Sequence, residues 1–445
     1  MRSTAWWWPS SGAGRWRTRR GRERGPCREI RHERADRGRE RKGESLMRTR
    51  RWRAVPVVAV VVLLTVLPPA AAQRAAPVRL GAIIPLSGPE GVSGQAMQKG
   101  YQLALEEVNA RGGVLGRPLE LIVEDDKGDP PTGAAVFQKL VTRDRIDILI
   151  GGLQSSVTIA VVSQVLRQPI LMAWTGAAFS GIERDLVKDA DWFFHYHPWD
   201  YHNTDSLFRF IQAIGAKTVA VAHEDGPFGA GSIDAIRAFA RNYGVEVTFI
   251  DAFKSGTPDL TPLLTKAKAA NADVFVFISF AQDVVPIVTQ ARQVGFAPKL
   301  MIGTPPSWPI GYERLAAGNN VAGLALWTPE NRHPASRRFV SRWREKFREE
   351  PTSYWGPLAY TNVVTVADAV NRAGSTDRAA VTRALAATDY EGPIGRRLTF
   401  KRSLVGRYQG FTSLIAFQWR DGKQVTVWPE ELAGARLQYP AGYGR

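Results

Sequence analysis

The stretch Arg79-Leu-Gly-Ala-Ile-Ile-Pro-Leu-Ser-Gly-Pro89 decides the architecture of this chain. An apolar run, Leu80 to Leu86, feeds a Ser-Gly-Pro turn. Beyond it Met97, Tyr101, Ala104, Leu105 and Val108 recur at helical spacing, and Asn109-Ala-Arg-Gly-Gly113 supplies a glycine stop. A second apolar run, Leu119 to Val123, ends in Glu124-Asp125-Asp126. The order is strand, helix, strand, with a polar crevice beyond the first strand's carboxyl end. Open α/β sheets take small ligands in such crevices.

Outward from this stretch the alternation continues. Strands are expected at Val78–Ile84, Leu119–Glu124, Ile146–Ile150 and Ile170–Trp174, then at Thr218–Ala222, Val245–Ile250, Val274–Ser279, Lys299–Ile302 and Val321–Trp327. Helical patterns lie between them, among them Thr132–Thr142, Ser156–Leu166, Ile233–Tyr243 and Val284–Val294. Continuous apolar strands separated by helices imply parallel sheets covered on both faces. These are too many strands for one compact sheet, so two α/β lobes are expected. Breaks fall at 191–201, at 328–353 and near Glu391-Gly-Pro393, with an Arg-rich helix over Ser336 to Glu349. The expected boundaries are 74–197 plus 328–400 for lobe 1 and 198–327 plus 401–445 for lobe 2. Near the end, Arg407–Trp419 alternates in the β manner and Asp421-Gly422 makes a hairpin turn before Lys423–Trp428.

The formal charge of +17 comes mostly from the first 73 residues. Residues 1–46 hold 14 basic and 6 acidic side chains and almost no periodicity. They read either as a basic nucleic-acid-binding arm or, the favoured reading, as an over-extended gene start before Met47. Residues 47–73 read as a signal peptide. Arg48, Arg50, Arg51 and Arg53 precede an apolar run, Ala54 to Leu67, and a small-residue cleavage site ends at Ala72. The run is about 14 residues, against the roughly 20 of a spanning helix. An uncleaved anchor and a twin-arginine signal are the alternatives; Arg53 stands where the latter wants an apolar residue. The remaining +5 over residues 74–445 implies no nucleic-acid partner. Cys27 is the one cysteine, so residues 74–445 have no disulfide, thiolate nucleophile, cysteine metal ligand or lipid-anchor site. A periplasmic location follows from this reading.

In this order and spacing, Gly81-Ala-Ile-Ile-Pro-Leu-Ser-Gly-Pro89, Asn109-Ala-Arg-Gly-Gly113, Glu124-Asp-Asp126, Ile150-Gly-Gly-Leu-Gln-Ser-Ser156, Phe228-Gly-Ala-Gly231 and Ala291-Arg-Gln-Val-Gly295 carry a resemblance. The chain resembles the periplasmic leucine/isoleucine/valine-binding proteins of ABC importers, over residues 78 to about 430. The resemblance implies a type I periplasmic binding protein fold. Two lobes, each a parallel sheet flanked by helices, are joined by three crossovers and close on a small ligand. It also implies delivery to an ABC permease in the inner membrane. Separately, a monomer with no cofactor and no metal is expected.

Ser155 and Ser156 follow a strand and open a helix, where hydroxyls and free N–H groups suit a carboxylate. Either can instead be only an N-cap. The family places a carboxylate-binding serine at a position that Ser155 matches. The family's next carboxylate loop matches Trp174-Thr-Gly-Ala-Ala178; its threonine hydroxyl is replaced at Ala178, leaving backbone donors of Ala177 and Ala178. Trp174 is read evenly as cleft wall or core. Phe228 and Phe280 match aromatic positions of the second lobe. The family's acid for a ligand amine is missing near Thr304-Pro-Pro306, where Pro305 stands with Trp308 following. Asp225 or Asp283 could compensate.

A wider set of cleft candidates comprises Ser93, His195, His197, Trp199, Tyr354 and Trp355, besides Asp225 and Pro305. His195-Tyr-His197, with His202 nearby, reads as a metal pair, a cleft hydrogen bond or crossover packing, with Asp200 able to orient an imidazole. The departure on the amine side favours a carboxylate-bearing organic acid, aromatic acids included, over a branched-chain amino acid. A secreted enzyme would need a dinucleotide fingerprint or a nucleophile elbow. Gly88-Pro-Glu-Gly91-Val-Ser-Gly94 has the wrong spacing for the first, and no elbow is present. A ligand-sensing receptor of the same fold, feeding a signalling partner, stays open at this point.

Overall fold

The computed structural model describes residues 76–443 apart from 305, 316, 317 and 319. The expectations for residues 1–46, for the signal peptide at 47–73 and for Pro305 lie outside the described residues. From the start, β1 (Val78–Ile84), α1 (Gly91–Ala110), β2 (Leu119–Asp125), α2 (Pro130–Thr142), β3 (Ile148–Gly151), α3 (Ser155–Val165) and β4 (Leu171–Trp174) alternate as the periodicity requires. A short helix α4 (Ser180–Asp185) and β5 (Phe193–His195) follow. The next series is α5 (Asp200–Ala213), β6 (Thr218–Glu224), α6 (Pro227–Tyr243), β7 (Glu246–Phe253), α7 (Thr261–Ala269), β8 (Val274–Ile278), α8 (Ala281–Gln293), β9 (Leu300–Gly303) and β10 (Ala322–Ala325). Then come α9 (Pro334–Phe347), α10 (Trp355–Ala373), α11 (Arg378–Ala386) and a small ribbon, β11 (Asp389–Glu391) with β12 (Arg397–Thr399). β13 (Tyr408–Gln409), β14 (Ile415–Arg420) and β15 (Lys423–Trp428) end the series.

Two sheets organise these elements. The first has the order β13-β5-β4-β3-β1-β2, and the second β15-β14-β10-β9-β8-β6-β7. Within these two sheets every pairing is parallel except β10 with β14 and β14 with β15, the latter the hairpin expected at Asp421-Gly422. The fold is therefore mixed α/β in two lobes, and the chain passes between them after β5, after β10 and after β13. Leu80, Ala82 and Ile84 of β1 and Val274, Val276 and Ile278 of β8 are buried in the main core. Each such Leu, Val or Ile contributes about 1.5–3 kcal/mol by leaving water.

Local signals fix the helix ends. Asp129 accepts from Thr132 N–H at 2.9 Å ahead of Pro130, and Asp377 caps α11 through Ala380 N–H at 2.9 Å. α6 stops at Gly244 in the left-handed region. α1 packs on α10 through Gly100. A Cβ there would lie 2.0 Å from the Gly356 carbonyl oxygen, so only glycine permits this approach.

Two expectations need correction, and one long helix was not foreseen. The stretch 191–201 opens not with a crossing but with β5, a fifth parallel strand whose three residues sit beside β4. The return to the second lobe does not come at 401. Tyr408 and Gln409 pair with Phe194 and His195, so lobe 1 continues through β13, and the alternating stretch Arg407–Trp419 is divided between the two sheets. The helix α10, which was not named from the sequence, is buried on most of its surface.

Candidate ligand-binding site

The carboxyl ends of both sheets face a single cleft of about 730 Å³, counting the part open to solvent. From lobe 1 it is lined by Leu153, Gln154, Ser155, Ala177 and Ala178, with His197, Tyr354 and Trp355 at the crossovers. From lobe 2 come Phe228, Ser232 and Ile236 of α6, with Ile278, Phe280, Thr304, Pro306 and Leu324. Asn203, Thr204 and Leu207 of α5 and Leu414 before β14 complete the wall.

The lobe 1 wall follows from two tight loops. After β3 the backbone takes positive φ at Gly151 and Gly152. A Cβ at Gly152 would lie 1.8 Å from the Trp174 ring. This turn delivers Ser155 as the first residue of α3, where first-turn N–H groups lack intrahelical partners. Its hydroxyl lies 3.4 Å from Ala178 N and 3.3 Å from Phe179 N, tying the two loops together. Ala177 has φ +75°, costly for a residue with a Cβ. Its N–H donates to Leu153 O at 2.9 Å, which holds that conformation.

His197 is buried and stacks on Trp355 with centroids 5.2 Å apart. Its Nδ1 lies 2.8 Å from the Pro198 carbonyl, which can only accept, so Nδ1 carries the proton. Nε2 then accepts from the Tyr354 hydroxyl at 3.1 Å. Burial, with repulsion from His195 and His202, pushes this imidazole down to about 3, so it is neutral. Trp355 Nε1–H reaches across to the Pro306 carbonyl at 2.8 Å, and Ser353 and Ser307 meet at 2.7 Å. Phe228 and Phe280 stack at 5.8 Å on the opposite wall. Among the described lining residues none is Asp, Glu, Lys or Arg.

The structure brings together Ser155, Ala177, Ala178, Phe228 and Phe280, with His197, Tyr354 and Trp355. It removes others. Trp174 is core: it is fully buried, and its Nε1–H donates to Thr158 Oγ1 at 3.0 Å. Trp308 packs among Phe277, Tyr312, Phe417 and Trp419 under lobe 2. His195 sits behind the cleft, stacked 3.7 Å from Trp199, with Nε2 3.0 Å from the Gly176 and Ala177 carbonyls. Trp199 is spent on that stack. Ser156 is half-buried and is not among the lining residues, and Ser93 bonds Glu90. Asp225 is exposed, and Asp283 is engaged by Ser255 Oγ and Gly256 N–H, so neither supplies the missing acid. Asp200 accepts from Ser180 N–H at 3.0 Å rather than orienting a histidine, and His202 Nδ1 accepts from Trp199 N–H. Among the described residues no group of three or more His, Cys, Asp or Glu is arranged to hold a metal.

Several lining residues were missed. Ser232 and Ile236 continue the helical stripe of the expected Phe228 at i+4 and i+8, a signal the sequence did contain. Asn203, Thr204 and Leu414 depend on where two crossovers run, which no local pattern encodes.

Residues 77–423 match the family of periplasmic binding proteins. The chain belongs to that family. A Leu/Ile/Val-binding protein homolog of Brucella abortus is 25% identical over 389 residues, covering 83% of this chain and 96% of the relative. Among solved structures, the branched-chain amino acid transporter substrate-binding protein LivJ of Streptococcus pneumoniae, in complex with isoleucine, superposes with a TM-score of 0.68. It is 24% identical and covers 78% of this chain and 98% of its own. An ABC transporter solute-binding protein of R. palustris in complex with benzoate gives 0.71 at 17% identity, covering 81% and 100%. This periplasmic binding protein thus has the two-lobed type I fold that the sequence implied. No helix among its described residues is long and apolar enough to cross a membrane.

Proposed function

We propose that this chain is a periplasmic solute-binding protein that captures a small carboxylate with an apolar, aromatic-sized body and, as a monomer, delivers it to the permease of an ABC importer. Residues 47–73 serve as its export signal in this reading, and it acts by binding rather than by catalysis. One observation carries the ligand class: the lining offers backbone and hydroxyl donors on one wall, aromatic and aliphatic side chains on the other, and no carboxylate. The α3 N-terminus with Ser155 suits a ligand carboxylate. Trp355, Phe228 and Phe280 suit a flat or bulky apolar body. An amino acid would bury its ammonium without an acid beside it, which is costly. The benzoate complex of the R. palustris neighbour supports the same choice, whereas the isoleucine complex supports the rival amino-acid ligand.

The test is a thermal-shift screen against aromatic acids, dicarboxylates, amides and amino acids. Aromatic acids should raise the melting temperature in proportion to the logarithm of concentration above Kd. Ser155→Ala should weaken the best hit by about 1–3 kcal/mol. Tight binding of leucine or valine with aromatic acids inert, or an unchanged affinity in the variant, overturns the reading.

A further inference from the structure

Glu90 lies outside the cleft lining and joins the two lobes. It immediately precedes α1 in lobe 1, and its side chain is fully buried. Its Oε1 accepts from the N–H of Ala281, the first residue of α8 in lobe 2, at 2.7 Å. Its other oxygen is hydrogen-bonded to Ser93 Oγ. A single carboxyl thus spans 191 residues of sequence and the mouth of the hinge.

The surroundings treat the two charge states of this carboxyl differently. The titratable groups facing it are Asp283 from the first turn of α8 and Tyr354 from the residue before α10. Tyr354 is in turn bonded to the neutral His197. No Lys or Arg is among the groups acting on Glu90. An ionised Glu90 would sit dry beside Asp283 with no cation, a costly arrangement. A neutral Glu90 keeps every bond: its carbonyl oxygen accepts from Ala281 N–H and its O–H donates to Ser93 Oγ.

We propose that Glu90 is an interlobe latch that holds the lobes together only as the neutral acid, so that closure takes up one proton. Parting the lobes removes Ala281 and Asp283 from Glu90 and admits water, which stabilises the carboxylate. Burial, opposed by the Ser93 and Ala281 bonds and reinforced by Asp283, pushes the closed-state carboxyl up to about 8. In the open state it returns towards its ordinary value of 4.5. The sign follows. The closed form binds the proton more tightly, so closure is fully favoured below the open-state value and weakens as pH rises through the interval. The closed-to-open ratio falls by up to about tenfold per pH unit there and levels off above about 8. The proposal rests on the two-lobe closure described above but needs no ligand. A failed ligand screen therefore leaves it standing, and its own failure leaves the ligand reading intact.

The test uses the full chain with Cys27→Ser and one cysteine on each lobe, at Ala135 on α2 and Arg237 on α6, both exposed. Spin labels at these sites report the interlobe distance from pH 5 to pH 9 without added ligand. The parent should move from short to long distances as pH rises. Glu90→Gln keeps an acceptor for Ala281 and a donor for Ser93 but cannot ionise, so its distances should stay short throughout. Ala281→Pro removes the single donor at a helix position where proline is tolerated, and should give long distances at every pH. Far-UV circular dichroism at pH 6 checks that each variant is folded. A parent whose distances ignore pH, or a Glu90→Gln variant that follows the parent, overturns the proposal. So does an Ala281→Pro variant that still closes at low pH.

Discussion

At the scale of single residues, the site separates side chains that look alike in sequence. Trp174 and Trp355 both flank strand or helix ends, yet one is core and the other cleft wall. Trp174→Phe removes the Nε1–H bond to Thr158 and part of the packing under Gly152. It should lower stability by about 1–3 kcal/mol in urea unfolding while leaving ligand affinity unchanged. A loss of affinity with stability intact would place Trp174 in the cleft after all. Ser155 was legible at a helix start, whereas Ala177, Ala178, Phe228 and Phe280 were expected from their match to family positions; all five line the cleft. Trp308 was misjudged because a strand-end position does not say whether a ring turns to the ligand or under the sheet. Glu90 gave no warning at all. Its partner Ala281 is distant in sequence, and a glutamate after Pro89 reads as an ordinary turn residue.

At the scale of elements, most strands and helices of both lobes were legible, because apolar runs and 3.6-residue periodicity are local properties. β5, β11, β12 and the buried helix α10 were not named from the sequence, and β13 and β14 were run together as one stretch; these elements are short or buried and depend on their neighbours. β13 is two residues long and is held by pairing with β5 and by a bridge from Gln409 to Lys401. The joint between β3 and α3 makes a sharper statement, since it aims Ser155. Gly152 has φ +80°, and a Cβ there meets the Trp174 ring. Gly152→Ala should therefore destabilise by more than the roughly 1 kcal/mol of an ordinary glycine-to-alanine mismatch, and should weaken ligand binding along with it. Chemical denaturation and titration of the same variant check both. A variant as stable as the parent would mean that this loop relaxes without strain.

At the scale of the whole molecule, the two sheets share the work of binding through three passages of the chain. The last passage has a consequence for biosynthesis. β13 completes the first sheet by pairing with β5, more than 200 residues upstream, and β14 covers β10 in the second. Neither lobe can finish until the final fifth of the polypeptide exists, so the slow steps of folding wait for the end of synthesis. A nascent chain ending at Phe400 would present β5 and β10 as bare strand edges, open to pairing with other copies. Expressed alone, residues 1–400 should be recovered in aggregates; a monodisperse product with cooperative melting would contradict this. If residues 47–73 direct export as proposed, the same delay would keep an unfinished chain loose enough to be threaded through a membrane channel, which a protein that folded early could not do.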